Sequence, residues 1–173
     1  AISLEGFNEV NDLRRGKGVF DKVMHAMDLM KQYGLIFGTS ICYTSKNYKV
    51  VTSDEFLHMI IEKGARFSWY FHYMPVGNEA SCELLPDPDQ REYMYHRIRE
   101  IRAMKGGKPI FAFDFQNDGE YVGGCIAGGR NYCHINPNGD VEPCVFIHYS
   151  GANIKEVDLL TALKQPLFMA YRE

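Results

Sequence analysis

A chain of 173 residues with 46% hydrophobic content can bury one good core and a small annex. Its 19 basic residues face 22 acidic ones, so no basic field exists to hold nucleic acid by counterion release or to bind an anionic membrane surface. With no run of about 18 uncharged apolar residues and no charged-then-apolar leader pattern, the expectation is a soluble, cytoplasmic protein with neither a membrane nor a nucleic-acid partner.

The opening "AISLEGF" reads as the end of a buried strand followed by a glycine turn, and without an initiator Met the chain is expected to begin inside a fold. In "GVFDKVMHAMDLMKQYG", Phe20, Val23, Met24, Met27 and Met30 recur at helical spacing, and Gly34 supplies the stop. The apolar run that follows predicts a buried strand over Leu35 to Ile41. "TSDEFLHMIIEKG" sets Thr52 three residues before Glu55, a capping-box spacing, and predicts a second helix closing at Gly64.

Aromatic-rich "RFSWYFHYM" (Arg66 to Met74) predicts a third strand. The loop after it is about a dozen residues long, a length at which loops are often functional. Asp87 before Pro88, with Gln90 three positions on, opens another helix whose apolar face is Met94, Ile98 and Ile101, ending near Gly106. "PIFAFDF" (Pro109 to Phe115) gives a fourth strand. Strand and helix therefore alternate in units of crossover length, which predicts an α/β fold with a parallel sheet and its three helices on one side.

Beyond Asn117-Asp118-Gly119 the helical period disappears and glycines cluster. Pro137-Asn138-Gly139 between two short apolar stretches predicts a β-hairpin. The last segment, "DLLTALKQPLFMAYRE", is helical, interrupted at Pro166, and is expected to stop mid-fold.

Five cysteines, an odd number, argue against a fully paired disulfide framework. Cys125, Cys133 and Cys144 lie within twenty residues of one another. Zinc knuckles use Cys-x2-Cys pairs, whereas the gaps here are seven and ten residues, which suits iron–sulfur ligands carried on separate turns. Cys42 and Cys82 have no partner at metal spacing and read as structural thiols, and Cys133 reads either as a further ligand or as a packed thiol. Ser40, Tyr43 and Thr44 top a strand. His72 reads as a core residue of an aromatic strand, and Asp114 as either a base or a solvent-facing group.

The spacing Cys125, thirteen residues, Gly139, four residues, Cys144, within "INPNGDVEPC", resembles the first half of the SPASM/twitch extension of radical S-adenosylmethionine (SAM) enzymes. "ISLEG" followed by "NDLRRGKGVFDKV" resembles the fourth-strand region of the same family, and the two motifs stand in the family's order between Ile2 and Cys144. The resemblance implies a partial TIM-type barrel whose strand ends hold SAM on a [4Fe–4S] cluster, and an extension holding an auxiliary cluster. Residues 1–116 would be the C-terminal half of the barrel, and residues 117–173 a truncated twitch-like extension.

By the same resemblance Ser3 would approach the ribose or methionyl group of SAM, with Glu5 beside it, Arg15 would contact the carboxylate, Ser40 would line the cavity, and the backbone at Met74 and Pro75 would meet the adenine. Cys125 and Cys144, with Cys133 as a further candidate, would hold the auxiliary cluster. The family cleaves SAM reductively and abstracts hydrogen from its substrate. The expected partners are therefore a small-molecule or peptide substrate and an electron donor such as flavodoxin or ferredoxin. The Cys-x3-Cys-x2-Cys loop of the catalytic cluster is not among these residues, so the chain alone is expected to be inactive and to self-associate through an open barrel edge. The alternative is a non-catalytic α/β module with structural zinc at Cys125, Cys133 and Cys144. No catalytic residue is assignable from sequence.

Overall fold

The protein is described by a computed structural model covering residues 1–103 and 109–172. It divides into two compact units, Ala1–Asp118 and Gly119–Glu173.

The first unit alternates strand and helix: β1 (Ile2–Ser3), α1 (Asn8–Arg15), α2 (Val19–Gln32), β2 (Gly38–Tyr43), α3 (Asp54–Glu62), β3 (Phe67–His72), α4 (Pro88–Ala103) and β4 (Phe111–Asp114). The four strands form one parallel sheet in sequential order, β1-β2-β3-β4. Cα partners in such a sheet share a face. On one face Ile41, Tyr43, Tyr70 and Ala112 are buried in a single cluster with Val23 and Met27 of α2, Phe56, Leu57 and Ile60 of α3, and Met94, Ile98 and Ile101 of α4. The helices thus cover one side of the sheet, as the alternating pattern predicts. At about 1.5–3 kcal/mol for each large apolar side chain withdrawn from water, this cluster supplies most of the unit's cohesion.

Several elements differ from the sequence reading, β3 and β4 being shorter than the runs 66–74 and 109–115. Strand β2 begins at Gly38, and Leu35 and Ile36 are exposed. A β-carbon at Gly38 would stand 2.3 Å from the Phe67 carbonyl oxygen, so only glycine lets β3 approach there. The cap of α3 is Ser53, whose hydroxyl accepts from the Phe56 amide at 3.2 Å. Thr52 instead lies in a preceding 3-10 turn, with its hydroxyl on the Tyr48 carbonyl. Helix α1 has no counterpart in the periodicity, because Leu13 is 90% exposed and the helix buries only Asn11. Asp87 and Gln90 do form the capping box expected of α4, each side chain accepting from the other's amide. The expected end of that helix near Gly106 lies outside the described residues.

The second unit contains the hairpin β5 (His134–Ile135) and β6 (Val141–Glu142), antiparallel, and two short helices, α5 (Leu159–Ala162) and α6 (Pro166–Ala170). Pro166 sits at the start of α6, so the interruption read from the sequence is a helix boundary. Gly139 takes φ +94° in the hairpin turn, where a β-carbon would lie 2.8 Å from Asn153 Oδ1. Val141, Ala162 and Phe168 make the small core, with Cys133 and Leu163 packed against it.

Candidate functional site

The sheet face opposite the helices is divided by register. Ser3 pairs with Ser40, Ser40 with Trp69, and Trp69 with Phe113, while Cys42 pairs with Phe71. The β1–β2 half of this face is therefore polar, and the β3–β4 half is a run of edge-on and tilted aromatic rings, Phe71 and Phe115 having centroids 4.7 Å apart.

Just past the C-terminal end of β1 lies Glu5, only 1% exposed. Its Oε1 accepts from Arg14 Nη1, from Arg15 Nη2 at 2.7 Å and from Arg15 Nε at 3.1 Å. Its amide donates to Asn11 Oδ1 at 3.1 Å, and its carbonyl accepts from Asn47 Nδ2 at 3.0 Å. Glu5 Oε2 is buried and has no hydrogen-bond partner among the described residues. Arg14 lies over the Tyr73 ring at 5.7 Å. Burial alone would lower the Arg14 guanidinium, and Glu5 raises it above its ordinary value. The Cys42 thiol is pushed up by burial, with Arg14 opposing. The cluster carries two guanidinium charges against one carboxylate. It is therefore net positive, and it lies just past the C-terminal end of β1.

The sequence candidates fall as follows. Ser3 pairs with Ser40 in the register of β1 and β2, but Ser40 lies three residues before the C-terminal end of β2 and does not top it; Glu5 and Arg15 meet just past β1. Met74 follows β3 with its Sδ 2.8 Å from His72 Nε2, and Pro75 is half-buried beside it. Tyr43 points into the helix-covered core, not onto the inner face, and burial followed by the nearby Asp114 charge raises its phenol well above the ordinary value. Thr44 is buried in a turn closed by Asn47. His72 is half-buried, and its pKa is lowered by burial and by the charge of Arg91. Asp114 is fully buried, which removes the solvent-facing reading; burial raises its pKa, while Asn117 donates to Oδ2 at 2.8 Å. Arg14 escapes sequence reasoning, since "RRGK" carries no sign of which arginine turns inward.

In the second unit the Ala127 amide donates to Cys125 Sγ at 3.5 Å, and the Phe146 amide to Cys144 Sγ at 3.4 Å. Sulfur binds iron as the thiolate. Cys133 is half-buried against the core. Among the described residues no three His, Cys, Asp or Glu side chains are gathered closely enough to hold a metal ion, so Cys125, Cys133 and Cys144 do not stand together as a three-ligand set for zinc or for a cluster. A polar cavity of about 770 Å³ opens on the hairpin, with Glu142 buried at its wall between His148 (3.4 Å) and His134 (4.0 Å). No described helix is long and apolar enough to cross a membrane.

No family model matches the chain. Over 156 residues it is 32% identical to the mycofactocin maturase MftC of Mycolicibacterium smegmatis, covering 84% of this chain and 38% of that protein. It is 24% identical over 182 residues to the AdoMet-dependent heme synthase of Oleidesulfovibrio alaskensis, covering 90% and 46%. The chain thus spans less than half the length of these relatives. Among solved structures, Streptococcus suis SuiB bound to its precursor peptide SuiA superposes with a TM-score of 0.67 at 18% identity, over 99% of this chain and 43% of that one. Native anSMEcpe with bound AdoMet gives 0.65 at 16% identity, over 98% and 50%. At such identities these two show the fold, a half of a TIM-like barrel.

Proposed function

The chain belongs to the radical SAM family, and from that premise we propose that it forms the C-terminal half of the partial barrel, with a twitch-like extension, of an enzyme that modifies a peptide. The observation that supports the reading is the joining of two guanidiniums on the buried Glu5 just past β1, whose Ser3 pairs with Ser40 of β2.

In this reading Ser3, Ser40 and Arg15 hold the methionyl and ribose portions of SAM, and the backbone at Met74 and Pro75 meets its adenine. Cys125 and Cys144, already receiving amide hydrogen bonds, hold an auxiliary [4Fe–4S] cluster. When bound, the clusters and SAM would supply reductive cleavage of SAM and hydrogen abstraction from the substrate. The chain's own residues fix the carboxylate, aim the reacting carbon and present an apolar wall at Trp69, Phe71 and Phe113 that excludes water. A peptide substrate is favoured by the maturase relative and by the neighbour solved with a precursor peptide. Flavodoxin or ferredoxin is the natural class of one-electron donor, and a cytoplasmic setting suits that chemistry.

Because the three-cysteine loop is not among these residues, the chain by itself does not cleave SAM. Its exposed Trp69, Phe111 and Phe115 favour self-association. The test is 5′-deoxyadenosine formation under strong reductant. The anaerobically reconstituted full-length protein is expected to form it and this chain alone to form none. No product from the full-length protein refutes the reading, and product from the chain alone refutes the division of labour.

A further inference from the structure

Two arginines share one oxygen of one buried carboxylate, and that sharing defines a role for Glu5 other than ligand contact. We propose that Glu5 is a positioning residue, which docks Arg14 and Arg15 together so that both guanidiniums, not Arg15 alone, receive the carboxylate of the bound amino-acid portion; the inference rests on the SAM-binding reading above.

Glu5 is anchored through its own backbone. Asn11 from α1 and Asn47 from the loop after β2 hold its amide and carbonyl, and Asn47 is itself buried. Its side chain is almost inaccessible, so a ligand at the strand ends meets the arginines first: their side chains are 39% and 32% exposed against 1% for Glu5. Arg15 reaches Oε1 through Nε and Nη2, which fixes the plane of its guanidinium. Arg14 reaches the same oxygen from a separate position and rests over Tyr73, which follows β3. The two planes are thereby held while N–H groups of each stay available for a bidentate bond to an anion. The geometry sets Arg14 on the same carboxylate oxygen as Arg15.

Charge and positioning predict opposite signs when Glu5 is neutralised. If Glu5 only tempered the local field, Glu5→Gln would leave two uncompensated guanidiniums and bind an anionic group more tightly. If it positions them, the amide, which brings its own N–H donors toward the guanidiniums, releases them and binding weakens.

The experiment measures the affinity of S-adenosylhomocysteine, a non-reacting probe, for the anaerobically reconstituted full-length holoenzyme by calorimetry, with iron content determined in parallel. Glu5→Gln is expected to weaken binding about tenfold with iron per chain unchanged. In turnover the same variant raises the KM for SAM and leaves kcat at saturation in place. Arg14→Gln is expected to weaken the probe by a similar factor, and it carries the test if Glu5→Gln fails to retain iron. Tighter or unchanged binding by Glu5→Gln, or unchanged binding by Arg14→Gln, overturns the proposal. A wild-type protein that does not bind the probe refutes the SAM-binding reading itself, a result distinct from wild-type binding with indifferent variants.

Discussion

Among the described residues of the first unit seventeen buried hydrophobic side chains form one cluster, whereas the second unit's cluster has three, Val141, Ala162 and Phe168. The second unit compensates with side-chain to backbone hydrogen bonds. Asn136 Oδ1 accepts from the amides of Asn138 and Asp140, Gln165 donates to the Val141 carbonyl, and Asp158 caps α5. A scaffold with so little apolar core ordinarily needs a staple, and a bound metal centre is one. The contrast is one of construction: the larger unit rests on an apolar core, and the smaller one rests largely on turns held by side-chain hydrogen bonds.

Truncating each core should expose the difference most strongly. Phe168→Ala is expected to cost about 3–5 kcal/mol, more than three core residues can replace, and Leu57→Ala about 2–5 kcal/mol in a core able to relax around it. Hydrogen exchange resolved by segment should then show residues after 119 losing protection in Phe168→Ala while β2 and β3 keep theirs. Uniform loss across both units would contradict the separation. Next in size, Gly38→Ala sets a β-carbon against the Phe67 carbonyl and should cost about 1–3 kcal/mol, confined to the first unit. Fluorescence of Trp69, the protein's one tryptophan and the β3 partner of Ser40, reports it in urea. An unchanged urea midpoint would show that the strands part at no cost.

Acid gives the smallest and most selective effect. Asp140 and Asp158 have lowered pKa values, from the hydrogen bonds of Asn153 and Thr161 respectively, so their stabilisation is present above the unfolded value of 3.8 and lost as pH falls through the folded one. Asp114 is raised by burial, so the native state holds its proton more tightly, and that part of the first unit's stability is present below 3.8 and declines as pH rises above it. Asp140→Asn should accordingly flatten the acid limb of the second unit's protection, and Asp114→Asn should flatten the decline in the first. Identical pH profiles for variants and wild type would show that these carboxylates do not govern either unit.

Legibility in the sequence follows the same division. The helices α2, α3 and α4 are readable because Val23, Met27, Leu57, Ile60, Met94 and Ile98 repeat at the helical period, and β4 because an aromatic run is bounded by a turn. Helix α1 is not, since its contribution is polar: Asn11 on the Glu5 amide, and Asp12 accepting from the amides of Gly18 and Phe20 at the start of α2. The strand over 38–43 begins three residues later than the pattern suggests, because Leu35 and Ile36 are as apolar as a core segment though the chain leaves them exposed. Ser3 and Arg15 can be proposed from the motif resemblance, and Ser40 from its place on a predicted strand. The Arg14–Glu5–Arg15 junction cannot, because it depends on which side chains α1 turns toward β1.

The claim that the second unit is built to carry an auxiliary cluster is tested most directly by replacing Cys125 and Cys144 together with alanine in the full-length protein and assaying iron and acid-labile sulfide after anaerobic reconstitution. The expected result is loss of one cluster's worth of iron, with the SAM-binding cluster, which depends on other cysteines, retained. Unchanged iron in the double variant would contradict the assignment, and an equal loss on replacing Cys133 alone would move that residue from the core to the ligand set.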